Sequence, residues 1–244
     1  MKRIILLLGV LVSLTATHFV LAQASEGVIT YEVKVNMHRR LPPEREAMKS
    51  MMPEFNIHQD ELFFNSNESL YKPIVEEEED DDVEGEGMRM RFRRPQTEYY
   101  VDQASSRRVV LQEFLDKKYL IDDSLKISPW KFGAETKTIL GYECRQASYF
   151  NEDRKQNVVV WYTPALRPFL GPEGFNTLPG TVLQVELNEG ERIITAKKID
   201  SRPLAKSELK IPSGGTKTTE ADFRKMVDEH MKRMGTNGNI IIRN

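Results

Sequence analysis

The chain has 244 residues, with 35 Lys or Arg against 37 Asp or Glu and a formal charge of −2. Without a basic excess it has no electrostatic footprint for nucleic acid, and with Cys144 as its one cysteine it has no disulfide framework. Burial alone must hold it, and the length suffices for one good core.

Residues 1–22 have the build of a secretory leader. Lys2 and Arg3 precede an apolar stretch over residues 4–12, and Val20, Leu21 and Ala22 form a small-residue cleavage site that leaves Gln23 first. Ser13, Thr15, Thr17 and His18 interrupt the stretch, which is short for a stable membrane span. Losing Lys2 and Arg3 takes the charge from −2 to −4. The expectation is an exported protein, periplasmic or extracellular, with one β-rich domain over residues 23–235 and no transmembrane segment.

Residues 28–37 alternate, Ile29, Tyr31, Val33, Val35 and Met37 facing one way, as in a half-buried strand. Pro42 and Pro43 open a short helix with Ala47, Met48, Met51 and Met52 on its apolar side, and Pro53 ends it. Residues 62–71 read as a hairpin around Asn65, Ser66 and Asn67. Nine of the eleven residues 76–86 are acidic, which predicts a solvated, disordered insertion over residues 76–87. Met88, Met90 and Phe92 then alternate with Arg89, Arg91 and Arg93. A cationic strand is the plain reading, and an acidic tether folded over the arginines the sharper one.

Strands follow at residues 98–101, 108–115 and 118–122, with a tight turn at Asp116 and Lys117. Residues 130–132 and 136–150 continue the pattern, the latter with Gly141 where a bulge or bend would fit. Residues 158–162, 182–187 and 192–199 complete a meander of about ten strands. Thr219 and Asp222 open a C-terminal helix with an approximate capping box. Its stripe is Phe223, Met226, Val227, His230, Met231 and Met234, its outer face pairs Arg224 with Asp228 and Glu229 with Arg233, and Gly235 stops it. Residues 236–244, with Ile240, Ile241 and Ile242, are a tail or an edge strand.

Residues 161–185 stand apart: four of the twelve prolines and three of the fourteen glycines fall there, between two strands. Leu166, Phe169, Leu170, Phe175 and Leu178 are apolar where a solvated loop would be polar. Phe175, Leu178 and Pro179 are expected to close one end of the sheet, with Leu178 inward. The candidate ligand or partner loop is Trp161, Tyr162, Pro164, Gly171, Pro172, Phe175, Leu178, Pro179 and Gly180.

Several phrases carry a resemblance: Trp130-Lys131-Phe132, residues 135–144 ending in Gly141-Tyr142-Glu143-Cys144, Trp161-Tyr162-Thr163-Pro164, Gly171-Pro172, and Thr177-Leu178-Pro179-Gly180-Thr181-Val182. Together they resemble the GLPGLI family of exported bacterial envelope proteins. Thr177 stands for the motif's first glycine, Thr181 for its second leucine and Val182 for its isoleucine. The resemblance implies an envelope location and a mainly β fold: a single curled antiparallel sheet, or half-barrel, with helices across its open side, like the LolA-type lipoprotein carriers. It implies no chemistry.

The residues imply none either. Cys144 alternates with Tyr142 and Gln146 in a strand and reads as a buried thiol rather than a nucleophile. No zinc spacing, phosphate loop or nucleophile elbow occurs, so no cofactor or metal is expected. The methionines read as core or groove rather than a Cu(I) site. Two readings remain: a non-catalytic module binding a lipid or other apolar ligand in the curled sheet, or an envelope assembly factor docking on another protein through residues 163–181. An enzyme is a distant third. A cavity lined by Met and Phe would favour the first, and a filled core with an exposed apolar loop the second.

Overall fold

The computed structural model describes residues 25–41, 43–74 and 96–236. The expected leader, the acidic run, the strand expected over the arginine-rich residues 88–94 and Ile240, Ile241 and Ile242 lie outside the described residues.

Alternation builds the sheet. In β1 (Gly27–Asn36) Ile29, Tyr31, Val33 and Val35 are buried, while Thr30, Glu32 and Lys34 between them are half-buried. Next come β2 (Phe55–Phe64) and β3 (Glu68–Pro73), joined where Asn65 Oδ1 accepts from the N–H groups of Asn67 and Glu68. β4 (Thr97–Asp102), β5 (Arg107–Phe114) and β6 (Lys117–Ser124) complete a first meander. A second runs through β7 (Lys131–Ile139), β8 (Tyr142–Asn151), β9 (Gln156–Thr163), β10 (Thr181–Leu187) and β11 (Arg192–Asp200). The two meet at β1 and β11, which pair antiparallel from Val28 opposite Asp200 to Val35 opposite Arg192. A short β12 (Thr216–Thr218) lies parallel on the free side of β6, making one mainly antiparallel sheet of twelve strands among the described residues.

The expected strand over residues 136–150 is a hairpin. Leu140 and Gly141 have φ of 50° and 82° and form its two-residue turn, so Gly141 reverses the chain rather than bending it. The turn expected at Asp116 and Lys117 falls one residue earlier, on Leu115 and Asp116, both at positive φ.

The helix expected after Pro42 is 3-10 in geometry, Pro43–Met51, and leaves helical geometry at Arg45. Its apolar side is not packed as expected, for Met51 is exposed while Met48 and Met52 are half-buried. The C-terminal helix α1 (Glu220–Thr236) is capped as predicted: Thr219 Oγ1 accepts from Asp222 N–H at 3.1 Å and donates to its carboxylate at 2.8 Å. It runs through Gly235 rather than stopping there.

Phe223 anchors α1 between Phe114 and Tyr119, over Val110 and Ile121. Arg224 reaches Asp153 in the β8–β9 turn at 2.9 Å and Glu220 at 3.2 Å, taking the place of the expected Arg224–Asp228 pair. A helix that rests on β5 and β6 yet touches the β8–β9 turn requires a curled sheet with α1 across its open side. Behind the sheet, residues 201–215 run from β11 to β12, with Leu209 packed on Leu70, Tyr100 and Val109. Cys144 is fully buried and its thiol is pushed up to about 11 by burial.

Candidate functional site

Residues 164–180 join β9 to β10, which pair at Thr163 and Thr181. The backbone of this loop is held from within: Phe169 N–H donates to Leu178 O at 2.9 Å, Val182 N–H to Leu170 O at 2.8 Å, and Thr181 Oγ1 to Arg167 O at 2.7 Å. Leu170, Gly171, Pro172, Phe175, Asn176, Thr177, Leu178 and Gly180 are buried, and Leu178 is 0% exposed. Leu170, Phe175 and Leu178 join the core with Val160, Val182, Val185 and Ile194, and Leu166 packs against it, so most of the apolar residues spread through the loop are buried.

The loop is also stitched to its surroundings. Arg167 Nη1 donates to Glu68 O at 3.1 Å at the start of β3, and Gln103 Nε2 to Phe169 O at 3.3 Å from the β4–β5 turn. Trp130 Nε1 and Ser128 N–H both donate to Thr177 Oγ1, at 3.0 and 3.4 Å. Thr177, standing where the resemblance has glycine, has no positive φ and uses its hydroxyl here.

Deeper in, Glu173 forms a two-pronged ion pair with Arg192 at the start of β11, their side chains 11% and 22% exposed. Around it stand Asp60, Tyr71 and Tyr99. Tyr71 donates to Asp60 Oδ2 at 2.7 Å, His58 Nε2 lies 4.0 Å from the same oxygen, and Tyr31 donates to Val182 O at 2.7 Å. Burial opposes the charge on Arg192, but Glu173, Tyr71 and Tyr99 outweigh it and raise its pKa. Asp60 is pushed up to about 6, chiefly by burial; its bond from Tyr71 pulls down and the Glu173 charge pushes up.

Asp60 therefore sets a pH dependence. Unfolded, an aspartate titrates near about 3.9. Between about pH 4 and 6 the folded chain keeps a proton that the unfolded chain has lost, so this stabilisation is full below about pH 4 and lost as pH rises through about 6. Two pKa units correspond to about 3 kcal/mol. Asp60→Asn, which still accepts from Tyr71, should raise the urea midpoint at pH 7.5 and flatten stability between pH 4.5 and 7. An unchanged pH profile in the variant would refute the assignment.

The predicted site residues do not form one surface. Trp161 and Tyr162 are neighbours on β9 and point to opposite faces: Lys137 covers Trp161 with its ammonium 4.0 Å from the ring centroid, while Phe132 meets Tyr162 edge-on at 6.1 Å. Phe175 and Leu178 pack into the core, with Leu178 inward as expected. Pro179 does not, for it is exposed, as is Pro164; the chain dips at Gly180 instead. Exposed in this loop are Pro164, Ala165, Pro168, Phe169 (44%), Gly174 and Pro179; Phe132 (62%) on β7 is exposed as well. Sequence reasoning missed Asp60, Tyr71, Tyr99, Glu173 and Arg192. The tyrosines lie on the inward phase of their strands, a signal that was present. Among the described residues, no three His, Cys, Asp or Glu side chains converge as a metal site.

Residues 74–223, more than half of the chain, match the family described as N-glycanase peptide, N-terminal domain. The chain belongs to this family. Among solved structures, PNGF-II in its P21 crystal form aligns with 86% of this chain at 16% identity and a TM-score of 0.56, and in its C2 form at 17% and 0.55. In both cases 34% of the solved chain is covered, so this chain spans about a third of their length. At this identity the likeness speaks for the fold alone. No curated protein matches the chain.

Proposed function

We propose that this member of the N-glycanase N-terminal domain family is a non-catalytic interaction module of the cell envelope, docking on another protein through the rim of residues 164–180. One observation carries the reading. The loop commits Leu170, Phe175 and Leu178 to the core and leaves Pro164, Pro168, Phe169 and Pro179 in solvent. Loop side chains packed into the core beneath an exposed apolar rim favour docking over uptake of a lipid or other apolar ligand, which needs that side of the sheet open. The tyrosines and charges around Arg192 are also not the Met and Phe lining that an apolar pocket would use. The family is named for the N-terminal domain of an N-glycanase, which suits a module working beside another folded unit. The leader at residues 1–22 and the resemblance to the GLPGLI family support an envelope location.

A photo-crosslinking residue in place of Phe169 tests this in intact cells, with the same residue in place of Lys117, at the start of β6, as control. Position 169 should give one discrete adduct and position 117 none. Equal adducts from both positions, or none from either, would remove the docking reading.

A further inference from the structure

Arg167 is half-buried on the rim, and the one hydrogen bond of its guanidinium among the described residues is Nη1 to the backbone carbonyl of Glu68. The Glu68 carboxylate itself is taken, receiving the Tyr100 hydroxyl and, at 2.8 Å, Asn65 Nδ2. Half-buried Arg40, Arg108, Arg192, Arg202 and Arg224 each face a carboxylate. Arg167 has none among the described residues, and burial alone lowers its pKa. A partly desolvated guanidinium with most of its five N–H donors unused is poised for an anion.

A second observation points the same way. Phe169, two residues on, is 44% exposed and has a φ of 57°, a conformation bulky residues avoid. Its N–H is fixed to Leu178 and its carbonyl to Gln103, so the backbone is strained and pinned while the ring stands in water. Resting on the docking reading above, we propose that Arg167 and Phe169 together receive an acidic side chain of the partner protein that has an apolar neighbour: the carboxylate on the guanidinium fork, the neighbour on the ring. Phosphate is the poorer fit. Phosphate sites gather several cations or backbone N–H groups, whereas this segment supplies one guanidinium, and Pro164 and Pro168 have no N–H.

The test is a nitrogen-15 titration of the protein, following the Arg167 Nε signal with three probes: a blocked tripeptide of glutamate between two phenylalanines, the same peptide with glutamine, and inorganic phosphate. The glutamate peptide should give a saturable shift, at least tenfold tighter than either other probe, and Arg167→Gln should abolish it. Equal binding of the glutamine peptide, tighter binding of phosphate, or no shift at all overturns the proposal without recourse to a variant. The crosslink separates the two ideas. An adduct at position 169 that survives Arg167→Gln undiminished sinks the carboxylate contact and leaves docking standing, whereas absence of any adduct in the wild type sinks docking itself.

Discussion

Leu178→Asp is expected to keep the domain from accumulating as folded protein. Leu178 is 0% exposed and lies in the main core with Leu170, Phe175 and Val182. Removing its burial forfeits roughly 1.5–3 kcal/mol, and forcing a carboxylate into that place adds a desolvation cost of at least similar size. Domains of this kind have only about 5–15 kcal/mol in total. Leu178→Ala, expected to cost about 2–5 kcal/mol, gives a milder variant whose urea midpoint can be measured if the aspartate form is lost. A wild-type midpoint for Leu178→Asp would mean that the loop does not hold the sheet closed.

Gly180→Ala should also destabilise strongly, for a different reason. Gly180 has no positive φ, so conformation does not demand glycine; space does. A methyl there would come against the carbonyl oxygen of Thr163, lie 2.7 Å from that carbonyl carbon and 3.0 Å from Pro164 N. These are backbone atoms, and Thr163 is fixed in the β9–β10 ladder opposite Thr181, so neither side can yield cheaply. Overpacking of this sort costs about 1–3 kcal/mol or more, which for a domain of this size lowers Tm by roughly 3–10 °C. Gly174→Ala is the control: nothing lies within 4 Å of its added methyl. Equal melting of the two variants would show that close approach at Gly180 is not what the Leu-Pro-Gly segment requires.

Where a local pattern dictates structure, the sequence was legible. β1 and α1 were read from period and cap, and Leu178 and Phe175 were read inward because turns on both sides fix their segment. Leu140–Gly141 was misread because leucine seldom takes positive φ, so glycine alone looked like a bulge. Pro179 is apolar yet exposed, and the close backbone approach at Gly180 leaves no mark in the hydrophobic pattern. Arg224 was paired within its helix, but Asp153, distant in sequence, claims it. The Glu173–Arg192 pair with Asp60, Tyr71 and Tyr99 assembles from four strands and a loop, and only the strand register brings them together.

The seam between β1 and β11 bears on how the chain folds. The first strand of one meander must find the last strand of the other, so the middle of the sheet is made by residues as far apart as Val28 and Asp200. Each meander can assemble locally, yet both then present a bare central edge until nearly the whole domain has emerged from synthesis. Closing so long a loop before the pairing rewards it places this protein among slow folders, on the scale of milliseconds to seconds. The two half-sheets are the species most exposed to joining with the wrong copy.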